Sequence, residues 1–159
     1  MKILIAIDGS KAALHAVKYA VKLSAQLSSK PHITLITAHD DTGLKHLSKY
    51  APKGELDDYF REISDRNLKP AQALLDKANI GHDMVIKSGH VAEQIIKVGD
   101  AGKFDLIVLG AKGRSGFGDL LLGSVAQRVS ATSKRPVVLV KSVPKPLHSH
   151  PCKYLMWWW

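Results

Sequence analysis

Two periodicities alternate along this chain. Ile3-Leu4-Ile5-Ala6-Ile7 is an unbroken apolar run, as expected of a strand buried on both faces of a parallel sheet. Asp8-Gly9-Ser10 ends it, and Ser10 can cap a helix reaching to about Leu27, in which Leu14, Val17, Val21 and Ser24 recur at helical spacing. Ser28-Ser29-Lys30-Pro31 reads as a turn, and Ile33 to Ala38 as the second strand. The pattern weakens from His39 to about Gly54 and becomes helical again through Leu56, Phe60, Ile63, Leu74, Leu75 and Ala78. Pro70 interrupts that stretch, which predicts either one kinked helix or two helices meeting near Asn67.

In the second half, Met84 to Ser88 is a short third strand and Val91 to about Ala101 a helix. Phe104 to Leu109 is the clearest late strand. After a glycine-rich loop, a helix is expected from about Gly118 to Ala131, with Leu121, Leu122, Val125 and Val129 on its inward stripe. Pro136 to Val140 reads as the fifth strand, its proline tolerated at the first residue. Such alternation predicts an α/β domain with a mainly parallel sheet covered by helices on both faces.

The pattern stops after Lys141, so residues 1–142 are expected to form the domain and 143–159 an irregular tail. That tail ends in Trp157-Trp158-Trp159 and shows no complete secondary-structure period, which suits a non-native addition or an altered reading frame. His148, His150 and Cys152 lie there, but zinc takes four ligands in fixed geometry and three do not make a site. No metal site is expected.

Composition narrows the picture only modestly. With 45% apolar and 23% charged residues, the 159-residue chain has ordinary globular composition and enough length for one core. The formal charge of +9 fits a polyanion, a membrane surface or an anionic small molecule equally. Its lysines are scattered rather than run together, which favours a solvated surface over a nucleic-acid face. A single cysteine excludes an intrachain disulfide, and no stretch approaches the roughly 20 apolar residues of a membrane span. A cytoplasmic protein is expected.

Chemistry concentrates in Gly110-Ala111-Lys112-Gly113-Arg114-Ser115-Gly116-Phe117-Gly118-Asp119-Leu120-Leu121-Leu122-Gly123-Ser124-Val125, between the fourth strand and the helix that follows. In open α/β sheets, ligands sit outside the carboxyl ends of the strands where chain order reverses. Glycines there let the backbone turn tightly and aim successive amides at one anion. Gly110 and Gly113 can form such a nest, and the Gly123 and Ser124 amides with the Ser124 hydroxyl can close over a phosphate chain. Lys112 and Arg114 can add positive charge.

The first strand is not followed by the dinucleotide glycine fingerprint, and there is no Walker lysine pattern. A nucleophile elbow is also missing. His39 falls at the predicted end of the second strand, near the pocket, but a lone histidine establishes neither a base nor a metal ligand.

The glycine-rich segment resembles the nucleotide-binding branch of the universal stress protein family, whose signature is glycine, two residues, glycine, nine residues, glycine, then serine or threonine. Gly110, Gly113, Gly123 and Ser124 occupy these places. The likeness extends to Ile3 through Ser10, Gly89 through Ile96, Asp105 through Gly110, and Pro136 through Val140.

The resemblance implies an open five-stranded parallel sheet in order 3-2-1-4-5. It implies Asp8 against the nucleoside, Ala6 and Ala38 lining an adenine pocket, and Leu109 beside the base. Gly110, Lys112, Gly113, Gly123, Ser124 and Val125 would surround ribose and phosphates. ATP is the expected ligand of a stress-response regulator, with slow hydrolysis and a bridging Mg²⁺ left open because no catalytic base is evident. The same resemblance implies a homodimer, and pairing of the fifth strand with its copy would protect that sheet edge. A nucleotide-activating enzyme and a nucleotide-independent interaction protein remain the alternatives.

Overall fold

A computed structural model describes residues 1–40, 55–112 and 122–141 of the chain. The elements run β1 (Lys2–Ala6), α1 (Lys11–Ser24), β2 (His32–His39), α2 (Glu55–Lys77), β3 (His82–Ser88), α3 (Val91–Ala101), β4 (Leu106–Gly110), α4 (Ser124–Thr132) and β5 (Val137–Val140). They form a five-stranded sheet in the order β3-β2-β1-β4-β5, as the family resemblance implies. Every neighbouring pair is parallel.

The central strand shows why its run had to be continuously apolar. Ile3 and Ile5 point to one face, where Ala16, Val17 and Ala20 of α1 and Leu68, Ala71 and Leu75 of α2 pack on them. Leu4 points to the other, against Ala92 and Ile95 of α3 and Val129 of α4. A strand with helices on both sides has no solvent face, and its period of two disappears into uniform hydrophobicity.

Several boundaries differ from the expectations. β2 reaches one residue further at each end, and β3 begins at His82. α2 is one helix that contains Pro70. Proline cannot donate to the carbonyl four residues back, that of Arg66, but both residues are exposed and water can meet that oxygen. On the inner side of α2, Phe60, Ser64, Leu68, Ala71 and Leu75 form a buried stripe that carries the helix past the proline.

The largest correction concerns α4. It begins at Ser124, not near Gly118, because Gly123 is extended (φ −61°, ψ 146°) and serves as its N-cap. Leu122 consequently lies outside the helix and is 43% exposed, instead of joining the inward stripe. Val129 is fully buried, and Val125 packs against the core as anticipated. Leu121 and Gly118 lie outside the described residues. Among the described residues, no helix is long and apolar enough to cross a membrane.

Candidate functional site

The carboxyl ends of β1 and β4 meet at the point where the chain order reverses, β2 leading one way and β5 the other. The loop after β1 is shaped by its own side chains. Asp8 Oδ1 accepts a hydrogen bond from the Ser10 amide at 2.9 Å. Ser10 Oγ in turn accepts from the Ala13 amide at 3.1 Å, capping α1. With capping done by Ser10, Asp8 Oδ2 makes no hydrogen bond or ion pair among the described residues and remains available to a ligand. Gly9 has φ +80°, a conformation that calls for glycine, and a Cβ there would also displace the end of the Asn67 side chain of α2.

At the end of β4, glycine is required for a different reason. A Cβ on Gly110 would lie 2.7 Å from the carbonyl carbon of Ala12, in the first turn of α1. Its absence lets α1 approach the strand closely. Beyond it, the Ala111 amide donates to Val140 O at 2.8 Å, and the Gly123 amide donates to Ala111 O at 2.9 Å. Ala111 and Gly123, near the two ends of the glycine-rich segment, are thereby tied together.

That tie corrects one expectation. The Gly123 amide already has a partner, so the donors at this end are the next ones, on Ser124, Val125 and Ala126, in the first turn of α4. Amides of a first turn have no acceptor within their helix, and Gln127 N is the first of α4 to bond back, to Gly123 O at 2.9 Å. Together with the helix dipole they form an anion-binding end.

These elements enclose a cleft of about 210 Å³. Ala6, Asp8, Ala38, Leu109, Gly110, Lys112, Gly123, Ser124 and Val125 all line it, so the structure brings these expected site residues together. Gly113 and Arg114 lie outside the described residues. The sequence reading missed Ile36, Val91 and Ile95, which complete an apolar floor, and Ser10, Ala13 and Ala126 on the walls. The parity of β2 could have revealed Ile36, since it lies two residues from Ala38 and faces the same way.

Parity also explains why His39 is not part of the cleft. Adjacent to Ala38, it points to the opposite face and stacks on Phe60 of α2, with centroids 4.8 Å apart. Its Nε2 lies 2.6 Å from Ser64 Oγ, whose own proton goes to Phe60 O at 2.7 Å. The histidine Nε2–H is therefore the donor. His39 locks α2 onto the sheet.

Chemically, the cleft has two ends. Ala6, Ile36, Ala38, Val91, Ile95 and Leu109 offer a surface to a flat apolar ring, whereas Asp8, Lys112 and the start of α4 offer polar and cationic partners. Pockets that enclose a drug-sized ligand hold roughly 300–1,000 Å³. This smaller volume suits the ring, leaving an anionic group at the mouth where Ser124 is exposed.

Comparison with known proteins agrees with this architecture. The Universal stress protein family matches residues 1–141. Universal stress protein MJ0531 of Methanocaldococcus jannaschii is 29% identical over 145 residues, covering 91% of this chain and 84% of that protein. The solved structure of protein MJ0577 from the same organism superposes with a TM-score of 0.78 at 24% identity, covering 91% of this chain and 97% of the other. A universal stress protein in complex with cAMP shares 25% identity and a TM-score of 0.57, over 90% of this chain and 98% of the other. With the family matched across every described element, this chain belongs to the universal stress protein family.

Proposed function

We propose that this chain is an adenine-nucleotide-binding regulatory protein of the stress response, with ATP as its ligand. The observation that carries the reading is the two-ended cleft: an apolar floor continuous with a polar mouth at the amino end of α4. Adenine lies on Ala6, Ile36, Ala38 and Leu109, with Asp8 toward the ribose. The phosphates meet Lys112 and the Ser124 to Ala126 amides. The cAMP complex of a relative supports the adenine end, while the choice of a triphosphate rests on the donors at the mouth and on the family signature.

Nucleotide occupancy sets the protein's state, and slow hydrolysis of the bound ATP is the open part of the reading. The test is to identify nucleotides released from gently purified protein, then titrate the nucleotide-free protein calorimetrically with ATP, ADP, AMP and GTP. Phosphate release is followed with and without Mg²⁺. ATP binding tighter than GTP and AMP is the expected result. A folded chain that binds none of them would overturn the proposal.

A further inference from the structure

The sheet ends at β3 with an edge that the nucleotide site does not use. Met84 and Ile86 are 49% and 39% exposed there. Gly81 O accepts from Ile33 N of the β2 side, and Gly89 N donates to His39 O. Backbone groups alternate sides along a strand, so the odd-numbered residues between them address β2. His82, Met84, Ile86 and Ser88 therefore turn their N–H and C=O groups outward. Among the described residues, no strand pairs with this edge.

Natural sheet edges are guarded by charges, proline or bulges against indiscriminate pairing. The seven residues of β3 carry one acid and one base, and their positions are symmetric about the central Val85. Laid antiparallel on itself about Val85, this strand sets Asp83 opposite Lys87, Met84 opposite Ile86 and His82 opposite Ser88. A two-fold axis normal to the sheet keeps each face continuous, so opposed side chains share a face.

The hydrogen-bonding parity fits as well. Met84 and Ile86 form hydrogen-bonded pairs because both point outward, and Val85 meets its copy in a non-hydrogen-bonded pair. Asp83 already holds His32 through Oδ2 at 2.7 Å, yet its side chain is 68% exposed and a second oxygen remains for a lysine. Lys87 makes no hydrogen bond or ion pair among the described residues and is exposed.

We propose that β3 is a self-recognition edge, pairing antiparallel with β3 of a second copy of this chain through the Asp83–Lys87 and Met84–Ile86 matches. In any other register the charges miss each other, and Lys87 then acts as an edge guard. The surface is separate from the nucleotide cleft and lies at the opposite edge of the sheet from β5.

The test is performed on the full chain with Cys152→Ser. Val85→Cys should cross-link to its copy under mild oxidation, because Cα atoms in a non-hydrogen-bonded pair lie about 4.5 Å apart, within disulfide reach. Lys87→Cys faces Asp83 in this register and should not. Adding Asp83→Lys or Lys87→Asp to the Val85→Cys chain places like charges opposite each other twice. This should lower the cross-linking yield about tenfold, and the double exchange should restore it.

The same charge variants in the otherwise native chain, followed by sedimentation equilibrium, supply a readout independent of the cysteine. Restoration by the double exchange there supports the pairing even if Val85→Cys folds poorly. Cross-linking no greater at Val85 than at Lys87 in folded variants overturns the proposal. So does failure of the double exchange to restore association, whichever other strand the edge then accepts.

Discussion

Gly110→Ala isolates the contact that brings α1 over the cleft. Gly110 has no positive φ, so alanine introduces no backbone strain and its whole effect comes from packing. The added Cβ would lie 2.7 Å from Ala12 C, 2.9 Å from Ala12 Cβ and 3.0 Å from Ala12 O. Carbon atoms in comfortable contact are about 3.5–4.0 Å apart, so the first turn of α1 must retreat by about 1 Å. Because two of the three atoms belong to the backbone, no rotamer change can absorb the clash.

Overpacking of this kind costs about 1–3 kcal/mol, which lowers the melting temperature by roughly 3–10 °C in a domain of this size. The retreat also carries Ser10 and Ala13 away from Leu109, widening the cleft they share. Loss of one ligand hydrogen bond, about 0.5–1.5 kcal/mol, weakens nucleotide binding by about twofold to tenfold. Thermal unfolding and calorimetric titration measure the two effects separately. Gly81→Ala is the control: nothing lies within 4 Å of its Cβ, and replacing glycine at a compatible position is neutral or stabilising by about 0.4–1 kcal/mol. An unchanged melting temperature for Gly110→Ala would refute the packing argument, and unchanged affinity in a destabilised protein would refute the link to the cleft.

Ser10→Ala removes the α1 cap and should cost about 0.5–2 kcal/mol in urea unfolding. Ser124→Ala should leave stability nearly unchanged but weaken ATP binding by removing one hydroxyl contact, an effect of about 1–3 kcal/mol at most; equal affinities would exclude that contact. All four residues of β5 are half-buried at the outer edge of the sheet, and Val138→Lys should weaken a homodimer formed through that edge. Identical sedimentation of wild type and variant would argue against that interface. Deleting residues 144–159 should preserve a single cooperative unfolding transition; its loss would show that the tail packs on the domain.

The elements whose local signal was strong were legible from residues alone. The apolar run of β1 needed only the knowledge that buried parallel strands lose their alternation, and α3 was placed at Val91–Ala101 from spacing. The alternating architecture followed from the same pattern, whereas the strand order came from the resemblance carried by Gly110, Gly113, Gly123 and Ser124. The candidate-site residues were likewise named from that resemblance, because spacing records which residues recur and not what surrounds them.

Tertiary structure decided the remainder because it depends on partners distant in the chain. Only the fold shows that Gly110 is required by Ala12, nearly a hundred residues earlier, or that the Gly123 amide is occupied by Ala111 O. It also turns His39 away from the cleft and under α2, where Phe60 and Ser64 hold it. Pro70 shows the same limit: locally it breaks helices, but the buried stripe of α2 outweighs the missing hydrogen bond. A sequence states the chemical groups and their periodicities, whereas their orientation and free donors are settled only once sheet and helices have packed.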